Sequence, residues 1–242
     1  MKLVFLGTRG EIEARSGLHH MHSSLMISYG GRSVMIDCGA DWLGRFEELN
    51  PRAIVITHAH PDHAWGLKGG SPCPVYATAI SWELMDGYPI EDGSRHVVKA
   101  REPLHIEDMV FEAFEVEHST HCPAVSYRIT AGRAAFHYAP DVAYIHDRGE
   151  ALRGVKLYIG DGATMKRPMI RKRGDRLVGH APVRTQLTWC KKEGVPRAVF
   201  THCGSGIVKG EPEIIATELE RLAVERGVEA AIAHDGLEMI LR

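Results

Sequence analysis

Short apolar runs separated by turn residues dominate the chain and predict many strands and few helices. Gly30 and Gly31 separate two of these runs, as in a β-hairpin with a two-residue turn. Helical spacing of apolar residues predicts helices over residues 42–49, 78–85, 183–193 and 211–226. Strands are predicted over residues 3–6, 25–29, 33–37, 53–56, 74–77, 97–98, 109–117, 124–130, 133–138, 155–159, 198–201, 228–233 and 236–241. This mixture of elements indicates an α/β protein.

The predicted strand over residues 53–56 leads directly into a polar motif, THAHPDH, at residues 57–63. Its first two histidines are two residues apart on an extended segment, so both can bind one metal ion. The proline favours the first turn of a helix, which turns the last aspartate and histidine toward a second ion. A polar turn of hydrogen-bonded histidines is the alternative, but clustering these groups after a buried strand is costly without a metal. The candidate ligands are His58, His60, Asp62 and His63.

The segment HAHPDH at residues 58–63 resembles the HxHxDH motif of the metallo-β-lactamase superfamily. This resemblance implies a single domain over residues 1–242 with a four-layered αββα sandwich. It also implies two divalent metal ions at the sheet edge, with zinc first and manganese or iron as alternatives, because all three accept imidazole and carboxylate ligands. The further ligands that it implies each follow a predicted strand: His118, Asp141 as the bridge between the ions, and His202.

Three other residues near these strand ends carry predictions of their own. His121 is a rival to His118 for the third ligand position. Asp37, at the end of a predicted strand, is expected to support the metal loop from behind. Asp161 follows the strand over residues 155–159 and is interpreted either as a turn residue or as a functional acid.

The order of elements after residue 178 resembles the C-terminal half of ribonuclease Z and of the cyclic phosphodiesterase of phosphonate breakdown. It reads Gly-His, helix, Gly, strand, Thr-His. The resemblance implies that His180 donates a proton to the leaving oxygen or steadies the phosphate. It gives Asp62 a catalytic role together with its role as a ligand of the second ion.

Composition restricts the classes of function. The chain has 29 Lys and Arg against 31 Asp and Glu, so it lacks the overall basic character of a nucleic-acid-binding protein. Five cysteines without a CxxC pair indicate reduced thiols. No apolar run resembles a signal peptide or a membrane span, so a cytoplasmic enzyme is expected. The basic run over residues 167–176 is interpreted as a solvated loop or a phosphate-contacting flap, and the loop with His19, His20 and His22 has no assigned role.

These observations favour a binuclear metal-dependent phosphodiesterase. Two ions can lower the pKa of a water between them and hold a hydroxide for attack on phosphorus. The expected substrate is a small phosphate ester, with cyclic esters included. The sequence leaves open whether the protein forms a homodimer. The alternatives are a ribonuclease Z-like tRNA processing endonuclease, a lactonase or thioesterase, and a non-catalytic accessory protein of coenzyme biosynthesis.

Overall fold

The computed structural model of the protein describes the backbone of residues 1–242 and every side chain except that of Glu47. Its helices are α1 Phe46–Leu49, α2 Pro61–Ala64, α3 Ala79–Leu84, α4 Arg148–Ala151, α5 Val183–Glu193, α6 Ser205–Val208 and α7 Pro212–Val224. Its strands are β1 Lys2–Gly7, β2 Ser24–Tyr29, β3 Arg32–Ile36, β4 Ala53–Val55, β5 Val75–Thr78, β6 Arg95–Val98, β7 Leu104–Ile106, β8 Met109–Glu117, β9 Ala124–Ala131, β10 Ala134–Tyr138, β11 Tyr144–Ile145, β12 Leu157–Asp161, β13 Met169–Arg173, β14 Arg176–His180, β15 Arg197–Thr201, β16 Glu229–Ile232 and β17 Glu238–Ile240.

Two large mixed sheets carry most of these strands. The first has the order β17-β1-β2-β3-β4-β5-β6, and the second has the order β11-β8-β9-β10-β12-β15-β16, with β7 paired to β8. In each sheet, antiparallel pairs are followed by parallel ones, which run from β3 to β6 and from β10 to β16. The strands β13 and β14 form a separate antiparallel hairpin.

Three apolar clusters show that the molecule has four layers. The largest lies between the sheets, where Phe5 and Ile27 of the first sheet meet Phe111 and Phe136 of the second. A second cluster joins the outer face of the second sheet to α4, α5 and α7, and a third joins the outer face of the first sheet to α1 and the turns around α2. The predicted αββα sandwich is confirmed. The assignment of residues 1–242 to one domain stays a prediction.

The prediction of a continuous helix over residues 42–49 was wrong. A 3₁₀ turn at Ala40–Trp42 is followed by the single-turn helix α1, and Gly44 between them has φ of 73°. Trp42 and Phe46 are both buried against the first sheet, so two short turns satisfy the apolar spacing that suggested one helix. None of the described helices has the length and apolar character needed to cross a membrane.

The polar motifs meet because the carboxyl ends of β4, β8, β10, β12 and β15 lie at one edge of the sandwich. Two hydrogen bonds join the two sheets there. Tyr127 Oη donates to the carbonyl of Ile56 at 3.0 Å, and the amide of Val125 donates to the carbonyl of Thr57 at 3.1 Å. The THAHPDH motif therefore begins at a point where both sheets hold the backbone.

His137, in the middle of β10, is a buried imidazole away from this edge. Its ring stacks on Tyr158 at 6.1 Å between centroids, and neither ring nitrogen has a hydrogen-bond partner among the described residues. Burial, together with the nearby Arg128 charge, lowers the pKa of His137 to about 3. The folded protein therefore keeps His137 neutral, whereas the unfolded chain protonates it below about pH 6.5.

We expect His137→Phe to make the protein less sensitive to acid. In the wild type, this group lowers the free energy of unfolding by about 1.4 kcal/mol for each pH unit below about 6.5, because only the unfolded chain takes up the proton. Phenylalanine keeps the stacked ring and removes the proton-binding site. Urea unfolding of both proteins with a chelator present, at neutral pH and at about pH 5, measures the difference. The exposed His105→Gln on β7 is the control, and equal pH dependence of wild type and His137→Phe would contradict the prediction.

Candidate metal centre

The motif loop leaves β4 and packs its polar side chains into the interior. His58, Asp62 and His63 are buried, and His60 is half-buried at the cavity. Pro61 begins the one-turn helix α2, with His60 extended before it, as the sequence pattern predicts. Thus the first two histidines precede the helical turn that carries Asp62 and His63.

Three imidazoles surround one side of Asp141. Nε2 of His58 is 2.9 Å from Nδ1 of His60, and Nε2 of His118 is 3.3 Å from the same nitrogen. Nε2 of His58 is also 3.5 Å from Oδ2 of Asp141. Ligand atoms of these four residues all lie within 4.8 Å of one another. They form group A: His58, His60, His118 and Asp141.

Two carboxylates and two imidazoles lie on the other side of Asp141. Oδ2 of Asp141 is 2.9 Å from Nε2 of His63 and 3.2 Å from Nε2 of His202. Nε2 of His202 donates to Oδ2 of Asp62 at 3.0 Å. Ligand atoms of these four residues also lie within 4.8 Å of one another. They form group B: Asp62, His63, Asp141 and His202, so Asp141 belongs to both groups.

The imidazoles of the two groups have opposite pKa shifts, because group B contains more carboxylate charge. Burial lowers the pKa of His58, His60 and His118, that of His60 to about 4, so the group A imidazoles are neutral and have lone pairs to donate. In group B, burial lowers the pKa of His63, but the charges of Asp62 and Asp37 outweigh it and raise the pKa well above its usual value. The carboxylates of group B therefore favour positive charge on this side of Asp141.

Unsatisfied buried atoms provide an independent test of whether the residues fit metal ions. Nε2 of His63, Oδ1 of Asp141 and Nδ1 of His202 are buried, and none forms a hydrogen bond of acceptable angle, although His63 and His180 each place a nitrogen within 3.0 Å of Asp141. Such atoms are costly unless something binds them. Imidazoles and carboxylates that converge from several strands are the donors that divalent ions bind in proteins. The residues present therefore fit two ions that share Asp141.

Asp37 lies directly behind His63, as the sequence interpretation predicts. Nδ1 of His63 donates to Oδ2 of Asp37 at 2.8 Å, which leaves Nε2 facing Asp141. The amide and hydroxyl of Thr57 also donate to this carboxylate. Asp37 is fully buried and thus fixes the ring orientation of one candidate ligand.

His180 lies at the end of β14 beside both groups. Its Nδ1 donates to Oδ2 of Asp161 at 2.8 Å and is 3.0 Å from Oδ1 of Asp141. Asp161 also accepts from the amides of Val142 and Ala163. Asp161 therefore makes a turn contact with Ala163 after β12 and also orients the ring of His180.

His121 and the loop with His19, His20 and His22 lie outside the groups. His121 is exposed, and its Nε2 is 3.3 Å from the guanidinium of Arg173. His19 and His22 bind Thr8 and Asp41 through Nδ1 at 2.8 and 3.0 Å, and His20 is exposed. The structure therefore brings His118, and not His121, to the centre.

Sequence reasoning missed the residues that hold the loop after β1 against the centre. Buried Arg9 pairs with Asp41 at 2.6 Å, and Asp235 accepts hydrogen bonds from the amides of His20 and Met21 at 2.8 Å. A Cβ at Gly10 would lie 2.9 Å from Cε1 of His202. The sequence gave no sign of the contact between Asp235 and this loop, because the two are more than 200 residues apart in the chain.

A cavity of about 820 Å³ opens beside the centre. Its wall combines apolar side chains with two cations and includes His60, Asp62, His118, Asp141, His180, His202, Met165, Met169, Ile207, Ile215, Lys166 and Arg167. A cavity of about 970 Å³ between α7 and β16 is lined mostly by apolar residues, and none of the group A or group B residues lines it. Of these two cavities, the candidate metal centre therefore opens only into the smaller one.

Residues 32–203 match the family model described as a beta-lactamase superfamily domain, and this segment covers more than half of the chain. The chain belongs to the metallo-β-lactamase superfamily. This fold implies divalent metal ions, in agreement with groups A and B. A ribonuclease Z from Methanopyrus kandleri is 29% identical over 173 residues, which cover 64% of this chain and 60% of that protein. The match thus spans less than two thirds of that relative.

Solved structures show the same fold over nearly the whole chain. The metallo-β-lactamase fold protein YhfI from Bacillus subtilis has a TM-score of 0.73 and 17% identity, with 99% of each chain covered. A diphosphatase from the PhnP family has a TM-score of 0.71 and 22% identity, with 100% of this chain and 98% of that chain covered. At these identities the similarity establishes the fold of this superfamily member.

Metal content separates the two candidates for the third ligand of group A. We expect His118→Ala to reduce the bound metal from about two ions per chain to about one, because it removes one of three imidazoles from one ion. We expect His121→Ala to leave the metal content unchanged, since His121 contacts Arg173 at the surface. Mass spectrometry of the metals in gel-filtered protein measures both. Loss of metal in His121→Ala alone would reverse the assignment.

Proposed function

We propose that this protein is a binuclear metal-dependent phosphodiesterase that acts on a small phosphate ester, cyclic substrates included. The single observation that carries the proposal is the Asp161–His180 pair, which lies at the cavity beside the carboxylate shared by both groups. Similarity to ribonuclease Z and to a PhnP-family diphosphatase supports phosphorus as the centre of attack.

The proposed ligands are His58, His60, His118 and Asp141 for one ion and Asp62, His63, Asp141 and His202 for the other. Zinc is the metal that we propose, with manganese or iron as alternatives. Bound divalent ions supply Lewis acidity and lower the pKa of water toward neutrality, which gives a nucleophile without a strong base. Asp62 and Asp141 give group B its negative charge and would hold the second ion, whose positive charge would favour an anionic phosphodiester.

His180 is the proposed general acid. Burial lowers the pKa of His180, but the charges of Asp161 and Asp141 raise it to about 11, so the imidazole is protonated near neutral pH. Because Nδ1 donates to Asp161, the Nε2 proton is the one available to the cavity. Transfer of that proton to the leaving oxygen releases an alcohol in place of an alkoxide.

Ribonuclease Z-like cleavage of RNA is the second candidate, since a curated relative has that function. A lactonase or thioesterase would use the same centre on a carbonyl carbon in place of phosphorus, and an accessory protein would bind metal without turnover. The cavity beside the centre can accommodate a small ester entirely, which favours the first candidate.

Metal removal tests the proposed reaction. We expect the purified protein to contain about two ions per chain and to hydrolyse bis(p-nitrophenyl) phosphate. A chelator should abolish the hydrolysis, and added zinc or manganese should restore it. Two bound ions without hydrolysis of any phosphodiester, together with turnover of a lactone or thioester, would reject phosphodiesterase activity while leaving the metal centre intact.

The role of His180 can be separated from a structural role by the leaving group. p-Nitrophenolate is stable as an anion near neutral pH, whereas an alkoxide must be protonated as it leaves. We expect His180→Ala to lower kcat by roughly 10²–10⁴-fold for a dinucleoside phosphate and by much less for bis(p-nitrophenyl) phosphate. Metal content measured on the same sample is the control. Equal losses on both substrates would exclude His180 as the general acid.

A further inference from the structure

The basic run over residues 167–176 is mostly a β-hairpin, where sequence analysis placed a loop or flap. In the β13–β14 register, Met169 pairs with His180, Arg171 with Val178, and Arg173 with Arg176. Paired residues, and residues two apart on a strand, share one face of a sheet. Arg171, Arg173 and Arg176 therefore lie on the same face as His180, and we call these three residues the arginine face.

This face leads outward from the centre. Met169 and His180, at the base of the hairpin, line the cavity beside groups A and B, whereas Arg173 and Arg176 flank the turn at its tip. Two residues of a strand span roughly 7 Å, so Arg171 lies one such step beyond Met169, and the cross-strand pair of Arg173 and Arg176 lies one further step out. On the opposite face, Ile170 packs against the core of the second sheet.

The cations of the hairpin have no acidic partners. Arg167, Arg171, Lys172, Arg173 and Arg176 are exposed, and none forms an ion pair with a side chain that the structure describes. Elsewhere, Arg9, Arg101 and Arg128 pair with carboxylates. The net charge of −2 therefore conceals a local positive surface, whose repulsion is unfavourable unless an anion binds there.

The base of the hairpin is tied to the centre itself. The amide of Gly179 donates to the carbonyl of His118 at 2.8 Å, and the amide of Leu177 donates to Glu117. A Cβ at Gly179, which has φ of 114°, would lie 1.8 Å from the carbonyl oxygen of Met169. The arginine face is thus held in a fixed position relative to a candidate metal ligand and to His180. Exposed His121 adds a polar group beside Arg173.

We propose that the arginine face binds single-stranded nucleic acid, with the chain running outward from a phosphodiester at the metal centre. This inference rests on the proposed phosphodiesterase and extends its substrates from small esters to polynucleotides. Guanidinium groups at two successive steps of the hairpin match a chain of phosphates, because each can bind a phosphate through two hydrogen bonds. The arginine face begins beside the proposed general acid, so the bound strand is on the leaving-group side. A membrane would meet a flat cationic surface and would gain nothing from this alignment.

The test compares three charge variants of the metal-loaded, full-length protein. Arg171→Gln/Arg173→Gln/Arg176→Gln removes the arginine face. Arg133→Gln/Lys191→Gln/Lys192→Gln removes the same charge from exposed cations far from the cavity. Arg171→Lys/Arg173→Lys/Arg176→Lys keeps the charge. Fluorescence anisotropy with a labelled phosphorothioate oligouridylate of about 12 nucleotides, whose linkages resist hydrolysis, gives Kd over a range of salt concentrations, and gel electrophoresis verifies that the probe stays intact.

We expect the glutamine variant of the arginine face to bind the oligouridylate about tenfold more weakly or worse, with a salt slope reduced by about 2, because three phosphate contacts are lost. The distant glutamine variant should match the wild type, and the lysine variant should keep most of the salt slope. Equal binding by the two glutamine variants would overturn the inference. So would loss of binding to phosphatidylserine vesicles with unchanged binding to the oligouridylate.

Failure of the proposed function would look different. If the wild type binds the oligouridylate through the arginine face but hydrolyses no phosphodiester, the binding site stands and the phosphodiesterase does not. If the wild type hydrolyses bis(p-nitrophenyl) phosphate but binds the oligouridylate no better than the glutamine variant of the arginine face does, the phosphodiesterase stands and the nucleic-acid site does not.

Discussion

The carboxylate of Asp141 is the interaction on which the centre depends. It lies between group A and group B, and its Oδ2 is close to both His63 and His202. An unpaired carboxylate would be very costly at this depth, so the histidines around it must supply protons or hold cations. The positions of β4, β8, β10 and β15 can therefore be understood as the scaffold that brings enough nitrogen donors to one anion.

The surrounding hydrogen bonds make this arrangement specific. Asp37 fixes the ring of His63 and Asp161 fixes the ring of His180, so two buried carboxylates each orient one imidazole toward Asp141 or the cavity. The two carboxylate–imidazole pairs differ in exposure, because His63 is enclosed whereas His180 remains partly open to the cavity. This difference in exposure distinguishes His63, a candidate metal ligand, from His180, a candidate general acid.

Much of the centre could be predicted from the sequence because its residues follow strands with a clear apolar pattern. His58, His118, Asp141 and His202 each come shortly after such a strand, and parallel neighbours place their ends together. The residues that escaped prediction depend on tertiary pairing. Asp235 holds a loop more than 200 residues away, and residues 169–180 form a hairpin in which arginines at every second position give no apolar alternation.

The two sheets contribute different halves of the centre. The loop after β4 of the first sheet carries His58, His60, Asp62 and His63, and the ends of strands in the second sheet carry His118, Asp141 and His202. Each ion would therefore act as a cross-link between the layers, beside the Tyr127 hydrogen bond that already joins them. Free metal concentration then becomes a determinant of how firmly the sandwich stays closed, because ligands that bind only the folded state stabilise it by mass action. In such a molecule, metal starvation would loosen the interface between the sheets as well as halt turnover.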